Sequence, residues 1–238
     1  VHIIEGDISS EDFLKLLDNA DYLFHLAWQT DLKKSNEDPL RDLNSDIGGL
    51  LKILERCKRN EKIKIIFAST VTIFGNVDRT PVDESFEDNP SSVYDLHKLF
   101  AEKYLELYEK LYGLKYCVLR LSNVFGEGQR IDSPNRGVLN YMIGRALRGE
   151  VLTVYGGGDF VRDYCYIQNY IDAFILASLC EKTNGEVYVL GSGDGKSFLE
   201  VVEKIKENVE VFRSGEKIVE GFKGSEVVIE KVPFPEDT

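Results

Sequence analysis

Positive charge is in short supply here. Only 29 Lys and Arg stand against 41 Asp and Glu, for a formal net charge of −12. A polyanionic partner requires a basic face, so no nucleic-acid partner is expected. Long apolar runs are also missing. A membrane span needs roughly 20 consecutive apolar residues, so none is expected. Metal-ligand spacing is equally absent. Cys57, Cys117, Cys165 and Cys180 form no C-x-x-C pair, and His2 and His97 have no Cys or His partner at ligand spacing. No metal site and no disulfide framework are expected. The cysteines lie in apolar-periodic segments and read as buried, reduced thiols of a cytoplasmic protein. There is no initiator Met. His2-Ile3-Ile4 reads as a strand already under way, so an internal portion of a longer protein is expected.

What the chain does have is a repeating order of short apolar runs and amphipathic stretches. Its 238 residues are 43% hydrophobic, enough for one large or two small cores. Val1 to Ile4, Asp21 to Ala27, Ile63 to Ala68 and Lys115 to Leu121 read as strands. Helical patterns over Glu11 to Leu17, Asp38 to Arg59 and about Ser92 to Tyr112 alternate with them. That alternation predicts an α/β, doubly wound parallel sheet. The nearly continuous apolar character of Asp21 to Ala27 suits a strand buried on both faces. After Gly126 the rhythm loosens. Helices are expected over Val138 to Arg148, up to Leu179, and over Ser197 to Glu207. Strands are expected at Leu152 to Tyr155, Arg162 to Ile167, Glu186 to Leu190, Val209 to Arg213 and Val227 to Val232. The predicted organisation is a Rossmann-like domain over 1–128 and a smaller mixed lobe over 129–238. Residues 160–185 are expected to pack back on the first.

The stretch with most chemistry is Ser92-Val93-Tyr94-Asp95-Leu96-His97-Lys98. Ser92 is placed to cap a helix, and Tyr94 and Lys98, four apart, share one helical face. An ammonium beside a phenol favours the phenolate. A phenol titrates near ~10, so a base at neutral pH needs a drop of roughly three units. In an open parallel sheet, ligands sit at the carboxyl ends of the strands. Three strand ends here carry polar groups: Asp7, Ser69-Thr70 and Ser122-Asn123. Thr70 also has a local use, bonding its own backbone. Arg120, Arg130 and Arg162 are candidates for an anion, with ordinary salt bridging as the competing use. Gly156-Gly157-Gly158 reads as a turn more readily than as a phosphate cradle. His25, in an apolar strand, reads as a satisfied core histidine.

Together these segments resemble the extended short-chain dehydrogenase/reductase family, in its NAD-dependent nucleotide-sugar epimerase and dehydratase branch. The resemblance runs over nearly the whole chain in the family's order. It identifies Asp7 and Ile8 as cofactor contacts near the adenine, and Leu26 and Ala27 as the strand end along the cofactor. Ser69 and Leu121 are further implied cofactor contacts. Ala68-Ser69-Thr70-Val71-Thr72-Ile73-Phe74-Gly75 resembles the segment bearing the catalytic hydroxyl, at Thr70. Tyr94 and Lys98 match the Y-x-x-x-K pair. Leu119 to Arg130 resembles the segment whose Asn, here Asn123, contacts the nucleotide sugar. Arg162-Asp163-Tyr164 resembles the segment whose Arg, here Arg162, binds the diphosphate.

The resemblance implies a smaller substrate lobe, NAD as cofactor, a nucleotide-sugar substrate, and a homodimer built on the Tyr94 helix. Leu99, Tyr104, Leu107, Tyr108 and Leu111 are compatible with that interface and equally with an intramolecular core. It further implies epimerisation, with Tyr94 as acid and base at C4 of a UDP-hexose. A dehydratase or keto-reductase of the same branch is the alternative, and a catalytically idle nucleotide-binding protein is another. Dehydratases carry acidic residues just after the catalytic hydroxyl; Val71-Thr72 stand here. The family's glycine-rich turn is expected before Val1. Three residues depart from the pattern: Asp46 in place of Asn, Asp95 in place of Gly, and Trp28 where a small residue is usual. Asp46 is expected to disturb a backbone kink or a proton relay near Lys98, and the other two to narrow or reshape the sugar pocket.

Overall fold

A computed structural model of the chain describes residues 2–133, 137–214 and 227–234. The elements run α1 (Glu11–Leu16), β1 (Tyr22–His25), α2 (Leu32–Glu37), α3 (Pro39–Cys57), β2 (Lys64–Thr70), α4 (Val93–Tyr112), β3 (Lys115–Leu121) and β4 (Asn123–Phe125). There follow α5 (Val138–Arg148), β5 (Leu152–Tyr155), β6 (Val161–Tyr166), α6 (Ile167–Leu179), β7 (Glu186–Leu190), β8 (Gly195–Ser197), α7 (Phe198–Ser214) and β9 (Ile229–Val232). The chain divides into two compact units. The first holds Val1–Ser122 with Asn169–Leu190, and the second Asn123–Gln168 with Gly191–Thr238.

The first unit is built on a parallel sheet of order β1-β2-β3-β7. Alternation along the strands sends neighbouring side chains to opposite faces. Ile65, Phe67, Tyr116 and Val118 point to one face, where Leu50, Ile53 and Leu54 of α3 and Ala101 and Leu105 of α4 meet them. Ile66, Cys117 and Leu119 point to the other and pack against Ala177 and Phe174 of α6. A sheet covered on both faces is the doubly wound arrangement predicted from the alternation. The two long helices are well bounded. Asp38 caps α3 ahead of Pro39, Ser92 caps α4, and Gly113 closes α4 at φ +69°. Each such cap is worth about 1 kcal/mol. The second unit has a β4-β6-β8 sheet and a β5-β9 pair. Its core joins Leu139, Met142 and Ala146 of α5 to Phe198, Val202 and Ile205 of α7.

Four expectations are corrected. His2 to Ile4 are not a strand, and Ile3 is 92% exposed; an apolar run makes a strand only where a neighbour accepts its ladder. Val1 lies outside the described residues. Strand β1 is not buried on both faces, since Tyr22 and Phe24 alternate outward and are exposed. Residues 209–213 continue α7: Val202, Ile205 and Val209 recur at helical spacing and outvote the local β-branched content. Cys180 is exposed, whereas Cys57, Cys117 and Cys165 are buried, and none of the four is in a disulfide.

Candidate active site

Strand β2 delivers the first part of the site. Its last residue, Thr70, is buried and caps the 3-10 turn Val71–Phe74, accepting the Thr72 N–H at 3.2 Å. Two residues earlier, the Ala68 carbonyl accepts a hydrogen bond from Lys98 Nζ at 2.6 Å. Helix α4 thus places Lys98 against the strand that ends in Thr70. The Lys98 ammonium lies 4.1 Å from the Trp28 ring centroid, 4.7 Å from Phe67 and 5.8 Å from Tyr94. These are cation–π distances.

The electrostatics differ from the expected ones. Burial pulls the Lys98 ammonium down to about 7, against the attraction of Asp46 and Glu102. Tyr94 is not lowered but pushed up to about 12, first by burial and then by the carboxylates of Asp95, Asp46 and Asp42. The ammonium is turned to a backbone carbonyl and aromatic faces, so the phenol feels the carboxylates more.

Two of those carboxylates, Asp42 and Asp46, belong to a network that joins α2, α3 and α4. The Gln29 N–H donates to Asp46 Oδ2 at 3.2 Å. The Gln29 side chain donates to Ser35 Oγ at 2.8 Å, and Ser35 Oγ donates to Asp42 Oδ1 at 2.9 Å. His97 Nδ1 donates to Asp42 Oδ2 at 2.7 Å. Burial, with Asp42 as a second charge, raises Asp46 to about 6. His25 is a core histidine but not a satisfied one. It is stacked on Phe67, its Nε2 has no hydrogen-bond partner among the described residues, and burial lowers it to about 4.

A cleft of about 610 Å³ opens beside this network, lined by Asp7, Ile8, Ser9, Ala27, Trp28, Arg41, Asn44, Ser45 and Asp46. It contains three of the expected cofactor contacts, Asp7, Ile8 and Ala27. Leu26 is exposed beside it in sequence, and Leu121 lies next to Thr70 in the β2–β3 register. Ser69 is committed elsewhere: its hydroxyl donates to Glu102 Oε1 at 2.5 Å. Apolar Ile8, Ala27 and Trp28, bordered by short polar side chains, fit the nucleoside half of a dinucleotide. Among the described residues Arg41 is the one cation lining the cleft, and no glycine-rich turn lines it.

The arginine candidates separate clearly. Arg120 is buried in ion pairs with Glu102 (2.7 Å) and Asp88 (2.8 Å), and Arg130 is forked onto Asp132 at 2.9 Å. Both are salt bridges and not anion sites. Arg162 is exposed on β6, with Nη1 donating to the Val161 carbonyl. In the second unit's sheet Asn123 pairs with Tyr164, two residues from Arg162, so the two expected substrate contacts lie on adjacent strands. Gly156, Gly157 and Gly158 form a turn packed on its own chain. A Cβ on Gly156 would run into the Phe234 ring, and one on Gly158 into Val154. Among the described residues no cluster of three or more His, Cys, Asp or Glu is arranged for a metal.

Asp42 had no motif to mark its contacts. Trp28, Asp46 and Asp95 were visible only as departures from a pattern.

A parallel sheet with a strand-end hydroxyl facing a Tyr-x-x-x-Lys helix defines a class: dinucleotide-dependent oxidoreductases and their isomerising relatives. The sequence model described as the NAD dependent epimerase/dehydratase family matches residues 1–191, and the chain belongs to that family. It is 31% identical to the putative UDP-glucose 4-epimerase of Methanocaldococcus jannaschii, over 87% of this chain and 67% of that protein. It is equally 31% identical to the UDP-N-acetyl-alpha-D-glucosaminuronate decarboxylase of Bacillus cytotoxicus, over 86% of this chain and 63% of that one. The chain thus spans about two thirds of the length of these relatives. Among solved structures, UDP-N-acetylglucosamine 4-epimerase of Methanobrevibacter ruminantium superposes with a TM-score of 0.85. That protein is 30% identical, and the match covers 98% of this chain and 70% of that one.

Proposed function

We propose that this chain supplies the acid–base and nucleotide-sugar-binding machinery of an NAD-dependent epimerase acting at C4 of a UDP-hexose. The observation that carries the reading is the junction of β2 and α4, where Lys98 is bonded to Ala68 two residues before Thr70. NAD, when bound, supplies a hydride acceptor that returns the hydride to the other face of the sugar carbon. Asp7, Ile8 and Ala27 would hold its nucleoside, and Lys98 its nicotinamide ribose. Leu26, Ser69 and Leu121 would contribute through their place at the strand ends. Tyr94 takes the sugar hydroxyl proton at its phenolic oxygen and gives it back in the reverse step. Thr70 hydrogen-bonds the same sugar oxygen. Asn123 contacts the nucleotide sugar, and Arg162 pairs with its diphosphate.

The absence of acids at Val71 and Thr72 supports epimerisation over loss of water. Thr72 does have a carboxylate behind it, Asp95, but both oxygens of Asp95 already accept hydrogen bonds. A homodimer in the cytoplasm fits the reading. Leu107 and Leu111 are exposed on α4 and available for the interface, whereas Tyr108 is buried and Tyr104 packs against the core.

The test is to incubate the full-length protein and NAD with a panel of nucleotide sugars and follow products by NMR. A C4 epimer is the expected product. A keto sugar that has lost water would assign the dehydratase reading, and no product from any sugar the idle one. Tyr94→Phe should abolish turnover with nucleotide-sugar binding kept; an unchanged rate would remove Tyr94 from the chemistry.

A further inference from the structure

Thr70 has a second set of partners that fixes what it can offer a substrate. Its Oγ1 lies 2.9 Å from Thr72 Oγ1, and Thr72 Oγ1 lies 2.5 Å from Asp95 Oδ1. The other oxygen, Asp95 Oδ2, accepts the Ser92 hydroxyl at 2.7 Å. A carboxylate has no proton to give, so both hydroxyls must donate to it. Thr72 has a single hydroxyl proton and spends it on Asp95. Its oxygen can then only accept from Thr70. Thr70 in turn spends its one proton on Thr72 and one lone pair on the Thr72 N–H. One lone pair is left.

We propose that Thr70, Thr72 and Asp95 form a one-way hydrogen-bond chain that makes Thr70 an acceptor, and not a donor, toward the reacting sugar oxygen. The inference rests on the proposed function and deepens it. Thr70 then accepts from the sugar hydroxyl in the alcohol form, and Tyr94 takes that same proton as the hydride leaves. The keto form has no proton there, so Tyr94 is left to donate to the carbonyl oxygen. Asp95 is a positioning residue, since it acts through two hydroxyls.

Helix capping does not account for this geometry. Ser92 caps α4 by accepting the Asp95 N–H, and the Ser92–Asp95 pair resembles a capping box. That use occupies only one carboxylate oxygen. The other leaves the helix to reach Thr72 in the 3-10 turn after β2. Asp95 and Thr70 are 3% and 8% exposed, so water does not compete strongly for either end. A hydrogen bond to an ionised group in such surroundings is among the stronger ones.

Thr72→Val keeps the shape and the cap but removes the middle link. Asp95→Asn keeps the size but ends the chain on a group that also donates. Each should lower kcat on the UDP-hexose roughly tenfold with KM little changed, and the double variant should be no worse than the singles. Thr72→Ser should restore the rate. A readout independent of turnover is the Thr72 hydroxyl proton, followed by NMR in the full-length protein. It should be protected from exchange and far downfield in the wild type, and lose that shift in Asp95→Asn. Full activity in Thr72→Val overturns the proposal. If the wild type turns over no sugar, the resonance decides: an unprotected Thr72 hydroxyl refutes the chain, whatever becomes of the epimerase reading.

Discussion

Lys98 ties the stability of this fold to pH. Burial holds its ammonium at about 7 against an ordinary 10.5. The unfolded chain therefore binds a proton that the folded chain releases between those values. Stability from this group is fully present above about 10.5 and is lost as pH falls to about 7. At 1.36 kcal/mol per unit, the whole window is worth roughly 5 kcal/mol. Lys98→Met removes the titration. It also removes the donor to Ala68 and the charge over Trp28. Leaving a buried carbonyl unpaired costs about 1–3 kcal/mol at every pH. The offset between wild type and variant mixes these terms, but the slope does not. Urea unfolding of both proteins from pH 7 to 10 should show the wild type gaining about 1.4 kcal/mol per pH unit on the variant. With an m-value of roughly 1–3 kcal/mol per molar, the relative midpoint should move by a molar or more across the range. Parallel midpoints would mean that Lys98 is charged throughout, and the account of its burial would be wrong.

Three further outcomes follow from the same charges. Glu102→Gln leaves Arg120 buried with Asp88 as its remaining carboxylate and should cost about 1–3 kcal/mol, whereas the apolar pair Glu102→Leu with Arg120→Met should recover much of it; equal denaturation midpoints for the single and double variants would contradict this. Asp46→Asn should stabilise by about 1–2 kcal/mol at pH 7, because a carboxyl held at about 6 is stabilising below its unfolded value near 4 and loses that advantage as pH rises through 6; the gain should vanish near pH 4 in thermal melts. Arg162→Ala should weaken UDP-sugar binding by about ten- to a hundredfold in calorimetry, the worth of a charged hydrogen-bond pair, with no change in melting temperature because Arg162 is exposed; equal affinity would take Arg162 out of the site.

The legible parts of this molecule are those fixed by local rules. Ser92 and Gly113 bracket α4 because an oxygen acceptor and a left-handed residue suit those ends, and both are readable from sequence. The strand Lys115–Leu121 and the helix Val138–Arg148 follow equally from period and caps. What could not be read is which distant partner a residue finds. Arg120 meets Asp88 and Glu102 across separate elements, so its sequence neighbours did not distinguish an anion site from a salt bridge. The Gln29–Ser35–Asp42–His97 network spans three helices, and Gln29, Ser35 and Asp42 sit in no motif. Tyr22 and Phe24 are exposed although their apolar character fits a buried strand: they lie on one face of a strand that is outermost in the described sheet, and the core on one face gathers on Ile66, Cys117 and Leu119 of β2 and β3.

The Tyr94 and Lys98 pair gains a more exact meaning from its surroundings. Spacing alone placed the two side chains on one face, and a lowered phenol was the natural inference. The fold instead sets Asp42, Asp46 and Asp95 nearer in effect to the phenol than the ammonium is. Tyr94 is therefore protonated at neutral pH, and Lys98 is close to losing its own proton there. Such a site is poised to receive positive charge. A cation arriving beside Tyr94 and the three carboxylates would lower the phenol and, by itself, disfavour the Lys98 ammonium; only the phenolate so formed would draw Lys98 back toward its charged form. Acid–base readiness in this chain is then a property of the occupied site, which the helix motif prepares but does not complete.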